Sequence, residues 1–418
     1  MVSEIHVVSK RDISKHETLA VNLPLPQLAE SSIRIRTSLV GITSNTVTYA
    51  KFGDSLHWWS TWPVPLDAPA PYNNRDEWGI VPAWGLARVL ESTIDAIPAG
   101  RLLYGFMPTS SHPVDLKLEP YQPEGHFREV SQHRQLLGSV YNRYTLFDES
   151  AHSDEFRAWF VNLHSIWTCG YVMNRYTFPG TGAKPVHPSG EGAGPWTEKD
   201  GDLSSAVVVS LSAASRTARS FAWNLARERQ PSTGPLALLQ ATSVPQTLAA
   251  PAAAFETKTV DYETLLSKET VDWIAKFRPK RVVVTDCGAP PKVTDRLWDA
   301  LKAALPGSTD TLILTVGFEP TIKSPEETRD EMALGGKWEA VQLHTTGLVD
   351  AGMAAEGAEQ YFRAVNTAFG RFLNDKVVGD LELSLGSGVG GTNGLEKAWE
   401  GFLQGTLPLN KAWVYRLD

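Results

Sequence analysis

Cysteine is nearly absent. Cys169 and Cys287 are the only two in 418 residues, and they lie far apart in the chain. Two thiols exclude a disulfide framework and a four-cysteine zinc lobe, and their scarcity fits a reducing cytosol. No window holds 18 consecutive apolar residues, so no membrane span is expected. The opening MVSEIHVVSKRDISKHETLA has no basic segment followed by a long apolar run, so a cytoplasmic protein without a secretory signal is expected. Basic clusters are missing too, and the net charge is −8, which argues against nucleic acid as the main partner. A small-molecule enzyme is the class these absences leave.

What is present is a globular composition, 42% hydrophobic and 21% charged, over a length that suits two domains of unequal size. Fourteen tryptophans are many for this length, and five of them (Trp58, Trp59, Trp62, Trp78, Trp84) fall in the first hundred residues. Buried aromatics mostly supply core area. Trp58 and Trp62 lie in a Pro-rich stretch without periodicity, where an apolar wall over a ligand is the competing reading.

Residues 1–110 read as β-rich. Ile33, Ile35 and Thr37 alternate with Arg34 and Arg36, the period of a half-buried strand. PVPLDAPAPYNNRDE at 63–77 is loop, and strands return at 84–90 and 101–106. Helical spacing (Phe156, Phe160, Leu163, Trp167) precedes a Gly/Pro-rich stretch at 179–196, expected as a surface loop, lid or linker edge. From 204 the pattern changes. Buried strands at 206–209, 236–239, 281–284 and 311–314 alternate with helical stretches, including 263–276 and 292–304, which is the order of a parallel doubly wound sheet. Tyr361, Val365, Phe369 and Phe372 mark a later helix, Leu395, Trp399 and Phe402 another, and 412–417 a closing strand.

Taken in order, these segments resemble the medium-chain dehydrogenase/reductase superfamily, within it the zinc-free quinone oxidoreductase and enoyl reductase branch. SSIRIRTSLVGITSNTVTYAKFGD (31–54) is similar to that family's opening strand and substrate loop. PAWGLARVLES (82–92), RLLYGFMP (101–108), GHFREVSQHR (125–134), AVVVSLSAASRTARSFAWNLA (206–226), DYE (261–263), VVVTDCG (282–288), LILTVG (312–317) and GTLPLNKAWVYRLD (405–418) follow in family order. The pair NTVTYAKFGD and PAWGLARVLES looks more narrowly like a microbial branch of unknown function. The resemblance implies an α/β protein: a GroES-like β-rich barrel lobe from both chain ends and a Rossmann-type domain. The expected boundaries are 1–165, 166–345 and 346–418. It also implies a homodimer through an edge strand near 311–317.

Two departures bear on chemistry. A metal-dependent dehydrogenase of this kind needs an early cysteine and histidine as zinc ligands, and here Ser44-Asn45 and Ala83-Trp84-Gly85 stand instead, with no Cys before 169. No metal is expected, and His112, His126 and His133 lack ligand spacing. The family's glycine-rich turn, through which a backbone approaches a pyrophosphate, reads Ala213-Ala214-Ser215-Arg216-Thr217-Ala218-Arg219. Either Ser212, Ser215, Arg216 and Thr217 bind phosphate at a helix N-terminus, or the dinucleotide site is lost. The second strand ends Gln240-Ala241-Thr242-Ser243 with no acidic group for a ribose, so a bound dinucleotide would be NADP(H). Thr242 and Ser243 equally suit helix capping. Asp286 and Gly317 fall at C-terminal strand ends, where ligands bind in such sheets, though a turn needs a glycine there as well.

The resemblance places Tyr49, with Asn45 or Ser44, in the loop bordering the nicotinamide. A tyrosine there can hydrogen-bond a carbonyl and stabilise an enolate, or it can simply pack its ring. Trp58, Trp62 and Trp84 are the expected apolar substrate contacts. No nucleophile elbow is present, and Cys169 reads as a small buried residue rather than a nucleophile. The expectation is an NADPH-dependent, metal-free reductase of a conjugated carbonyl, such as an enone, a quinone or a polyketide-like intermediate of secondary metabolism. A non-redox lyase, isomerase or hydrolase on the same scaffold is the alternative.

Overall fold

The computed structural model describes residues 2–180, 183–248, 252–290, 292–317 and 338–418. The described residues divide into two compact units, one formed by 2–165 with 381–418, the other by 166–317 with 338–380.

The first unit is built from β1 (Ser3–Ser9), β2 (His16–Val21), β3 (Ser32–Ile42), β4 (Trp78–Gly79), β5 (Pro82–Ser92), β6 (Leu102–Pro108), β7 (Val114–Tyr121), β8 (His126–Glu129) and β9 (Arg143–Phe147). Strands β3, β5, β6, β9, β8 and β7 pair in that order, and β7 pairs back onto β3, so six antiparallel strands close a barrel. Closure needs a strand that serves several neighbours, and β3 is long enough at 11 residues. Its first residues pair with β7, and residues 33–40 pair with β5. Register shifts at Arg34/Ile35 and Thr37/Leu39 bend it between them. Ile33, Ile35, Ala87, Val89, Leu103, Leu116, Phe127 and Tyr144 fill the interior and share one core with Ile5, Val7, Leu19 and Val21 of the β2-β1-β4 sheet.

The half-buried reading of β3 holds for one face only. Arg34 is 6% exposed. Its guanidinium is bidentate to Asp115 at 2.8 and 2.9 Å, reaches Glu91 at 3.0 Å and donates to the Pro26 carbonyl at 2.6 Å. Arg36, two residues on, stays partly exposed, and the buried Arg34 charge is tolerated because its donors are filled.

The second unit is a six-stranded, wholly parallel sheet: β10 (Ala206–Leu211), β11 (Ala237–Ala241), β12 (Glu256–Val260), β13 (Arg281–Cys287), β14 (Asp310–Gly317) and β15 (Glu339–Gln342). The order is β12-β11-β10-β13-β14-β15, so the chain reverses direction across the sheet between β10 and β13. Val207, Val209, Leu239, Val282 and Val284 bury one face under Leu265, Ile274, Leu297 and Leu301 of the covering helices. Among the described residues β14 is an interior strand, and the edge is β15. The expected edge near 311–317 is therefore corrected: β15 occupies the hydrogen-bonding side that β14 would have offered a partner.

The C-terminal return begins at 381 and not at 346. Helices Thr345–Glu356 and Ala358–Asn374 belong to the second unit, because Phe369 and Phe372 pack on Trp167 at 5.5 and 6.0 Å, and Phe372 meets Trp223 edge-on. The chain then adds β16 (Glu382–Ser387) and β17 (Lys411–Arg416) to the first unit. β17 runs antiparallel to β3, and β16 lies parallel outside it. No helix among the described residues is long and apolar enough to cross a membrane.

Candidate functional site

In the first unit the segment expected as a loop is a helix, Ser44–Lys51. Its start is closed by Thr46 Oγ1, which accepts the Thr43 amide at 3.1 Å. The helix places Asn45 and Tyr49 one turn apart on one face. Asn45 Nδ2 donates to the Tyr49 hydroxyl at 2.7 Å, and Trp84 Nε1, from β5, donates to the same oxygen at 2.8 Å. A phenol oxygen has two lone pairs, and an indole N–H can only donate. Both lone pairs are spent, so hydrogen is all this hydroxyl has left to offer.

Aromatic rings enclose that phenol. Trp58 and Phe106 meet the Tyr49 ring edge-on at 4.8 and 4.7 Å, Tyr141 does so at 6.1 Å, and Trp84 stacks on Tyr104. Tyr49 is 3% exposed. Burial, reinforced by neighbouring Tyr141, pushes its pKa well above the usual phenol value, so the group is neutral. Asn45, Tyr49, Trp58 and Trp84 thus come together. Ser44 does not join them: it is exposed, and its carbonyl takes the Thr48 hydroxyl at 3.4 Å. Trp62 is also elsewhere. Its indole donates to the Phe106 carbonyl at 3.1 Å, and the Arg134 guanidinium lies over its ring at 4.1 Å inside the core. The Trp58–Trp62 stretch is therefore split between the phenol cluster and the barrel interior.

In the second unit, Ser212 follows β10 in the left-handed conformation, φ 51°. Ser215 caps the Arg216–Arg227 helix by accepting the Ala218 amide at 3.3 Å. Burial, with Arg219 adding like charge, pushes the Arg216 guanidinium down to about 10. Arg219 turns instead to the two oxygens of Asp380 and to the Ala214 carbonyl. Thr217 stands in the first turn of the same helix. At the end of β11, Thr242 is buried with its amide on the Val260 carbonyl, and Ser243 is exposed. Asp286 spends Oδ1 on the amides of Gly288 and Ala289 at 2.9 and 2.7 Å, which makes it a turn-former. Gly317 ends β14 opposite Cys287.

Sequence reasoning missed Tyr262. Its hydroxyl accepts the Ser212 amide at 3.0 Å and lies 3.1 Å from Ser212 Oγ, which donates to the Gly288 carbonyl at 2.8 Å. The only signal was DYE at 261–263, read as a landmark. The 179–196 stretch, where described, is docked at the end of β15: Pro188 accepts the His344 amide, and Ser189 Oγ donates to the Gln342 carbonyl. Burial lowers the pKa of both His187 and His344. Cys169 is a buried thiol, pushed up to about 11 by desolvation. Among the described residues no three of His, Cys, Asp or Glu come together as metal ligands.

Solved structures share this architecture over the whole chain at very low identity. CurA from Vibrio vulnificus, in complex with NADPH, superposes with a TM-score of 0.53 at 9% identity, over 99% of each chain. The mitochondrial 2-enoyl thioester reductase heterodimer from Candida tropicalis gives 0.54 at 10%, covering 100% of both. The putative NADPH:quinone reductase from Bacillus thuringiensis gives 0.54 at 12%, again over 100% of both. The likeness identifies the fold as that of the medium-chain dehydrogenase/reductases. No curated protein matches the sequence. Residues 40–408 match the family described as "Protein of unknown function (DUF2855)", a span covering most of the chain, and the protein belongs to that family.

Proposed function

We propose that this protein is an NADPH-dependent, metal-free reductase of a conjugated carbonyl compound. One observation carries the reading: a buried, neutral phenol whose oxygen is saturated by Asn45 and Trp84, leaving a single hydrogen for an acceptor. A carbonyl oxygen is such an acceptor, and it gains negative charge as a conjugated system is reduced. A donor fixed in advance binds that oxygen more tightly as the charge grows. The raised phenol pKa keeps the proton on Tyr49, so the residue acts as a hydrogen-bond donor and a weak acid. The rings of Trp58, Phe106, Tyr141 and Trp84 exclude water and suit a flat apolar substrate.

The second unit fits an NADP-type dinucleotide, which would supply hydride. Its strand order reverses between β10 and β13, the place where open parallel sheets take ligands. Ser215, Arg216 and Thr217 form a helix start with positive charge for phosphate, and β11 ends in Thr242 and Ser243 with no carboxylate to repel a 2′-phosphate. The three similar structures carry NADPH or are named for reductases, which agrees with this reading. A homodimer would pair through the β15 edge, and a cytoplasmic location follows the cysteine usage.

The test is NADPH consumption with a panel of enones and quinones. Tyr49→Phe is expected to lower kcat about 100-fold, a typical loss for one charge-stabilising donor, with KM nearly unchanged. Equal rates would remove Tyr49 from the reaction. A second reading, a lyase, isomerase or hydrolase working without a dinucleotide, is favoured by the glycine-free turn, whose Ser212 groups are already satisfied. It expects no thermal shift with NADPH, whereas the first expects a clear rise in Tm.

A further inference from the structure

Three polar groups at the end of the parallel sheet satisfy one another in a directed chain. The Ser212 hydroxyl donates to the Gly288 carbonyl, so the Tyr262 hydroxyl must donate to Ser212 Oγ, and the Tyr262 oxygen accepts the Ser212 amide. Each hydrogen has an acceptor. The chain links segments that follow three different strands: Ser212 after β10, Gly288 after β13 and Tyr262 after β12.

Position gives the chain its meaning. β10 and β13 are the neighbours between which strand order reverses, and the crevice outside their C-terminal ends is the ligand site of such sheets. The Ser212–Gly288 bond bridges that crevice. β12 is separated from β10 by β11, and neighbouring strands lie about 4.8 Å apart. To reach Ser212, the Tyr262 side chain must cross the end of β11, which lies between β12 and β10. Its hydroxyl holds the Ser212 amide, the first backbone donor beyond the end of β10.

We propose that Ser212 and Tyr262 form a latch that closes the dinucleotide crevice and sets its affinity, so that binding requires the Tyr262 hydroxyl to leave the Ser212 amide. This rests on the nucleotide reading given above and adds to it a gating residue. Apparent affinity is reduced by the fraction of molecules that are open, so removing the latch tightens binding. Ser212 offers a clean variant, because its φ of 51° is one that glycine adopts without strain. Ser212→Gly removes the hydroxyl that bridges to Gly288 while suiting the backbone, and Tyr262→Phe removes the other hydroxyl while keeping the ring.

The experiment titrates NADPH by its fluorescence into the full chain and both variants, and follows hydrogen exchange of the 211–217 segment without ligand. Both variants are expected to bind NADPH about tenfold more tightly, and Tyr262→Phe to exchange the Ser212 amide at least tenfold faster. Binding by the wild type with no gain in either folded variant overturns the latch and leaves the nucleotide site standing. No binding by any of the three overturns both. Unchanged exchange at Ser212 in Tyr262→Phe also overturns the latch, whatever the affinities.

Discussion

Tyr49 is held by what surrounds it, and its pH behaviour follows. With its pKa raised by burial, the phenol stays protonated below and through the ordinary phenol range. The rate is therefore expected to show no Tyr49-dependent decline up to about pH 10. A kcat profile from pH 6 to 10 checks this, and a basic limb near pH 9 that vanishes in Tyr49→Phe would contradict it. Another residue-scale demand lies in the same segment. Gly53 and Gly79 pack on the buried Trp59 indole, and a Cβ at either would come within 2.4 Å of it. Gly53→Ala is expected to cost about 1–3 kcal/mol through overpacking. Urea unfolding measures it, and a midpoint within error of the wild type would show that Trp59 can move aside.

At the scale of elements, the Arg216–Arg227 helix is fastened to the C-terminal stretch of its own unit by Arg219 and Asp380, with the guanidinium also on the Ala214 and Val377 carbonyls. Asp380→Ala leaves a buried positive charge and is expected to destabilise by about 3 kcal/mol. Pairing it with Arg219→Met should recover much of that loss, because the cost lies in the unbalanced charge. A double variant as unstable as Asp380→Ala alone would rule this out. The elements most legible in the sequence were those whose burial is uniform: β10, β11, β13 and β14 read as apolar runs because both faces of a parallel sheet are covered. Ser44–Lys51 did not read as helix, since Thr46, Val47 and Thr48 favour strand locally and packing overrides them. The short strand β15, four residues long, carries too little pattern to announce itself, and β8, equally short, was marked only through the family resemblance of GHFREVSQHR. In the candidate site, Tyr49, Asn45, Trp58 and Trp84 could be named in advance, but the Trp84–Tyr49 bond joins residues 35 apart, through β5 meeting the Ser44–Lys51 helix. Tyr262 was invisible for the same reason: it acts on Ser212, 50 residues upstream.

At the scale of the molecule, the two histidines with the largest downward pKa shifts, His6 and His126, are buried in the first unit and weigh most in its acid response. His6 has its pKa pushed down to about 3 by burial, with His16 adding to the effect. His6 Nε2 lies 3.2 Å from His16 Nδ1, which stands 3.6 Å from Glu396, and the Trp399 ring covers the other side. His126 is also pushed to about 3, by burial and by Arg143, which donates to its Nδ1 at 3.1 Å. A depressed folded pKa means that the unfolded chain binds these protons more readily. Their stabilising contribution is complete above the unfolded value of about 6.5 and is lost as pH falls from there toward 3. Each drop of about 3.5 units corresponds to on the order of 5 kcal/mol, and two such groups rival the whole stability of a typical domain. The first unit is therefore expected to unfold before either histidine reaches its folded pKa, at about pH 4–5. Between pH 6.5 and 5 the unfolding free energy should fall with pH, His112, His133, His187 and His344 adding to the slope because their pKa values are lowered as well, and His6→Phe should reduce that slope by up to about one proton. Urea melts of the full chain at several pH values, followed by circular dichroism, read that slope directly. An equal slope in His6→Phe would mean that His6 is not kept neutral by its burial.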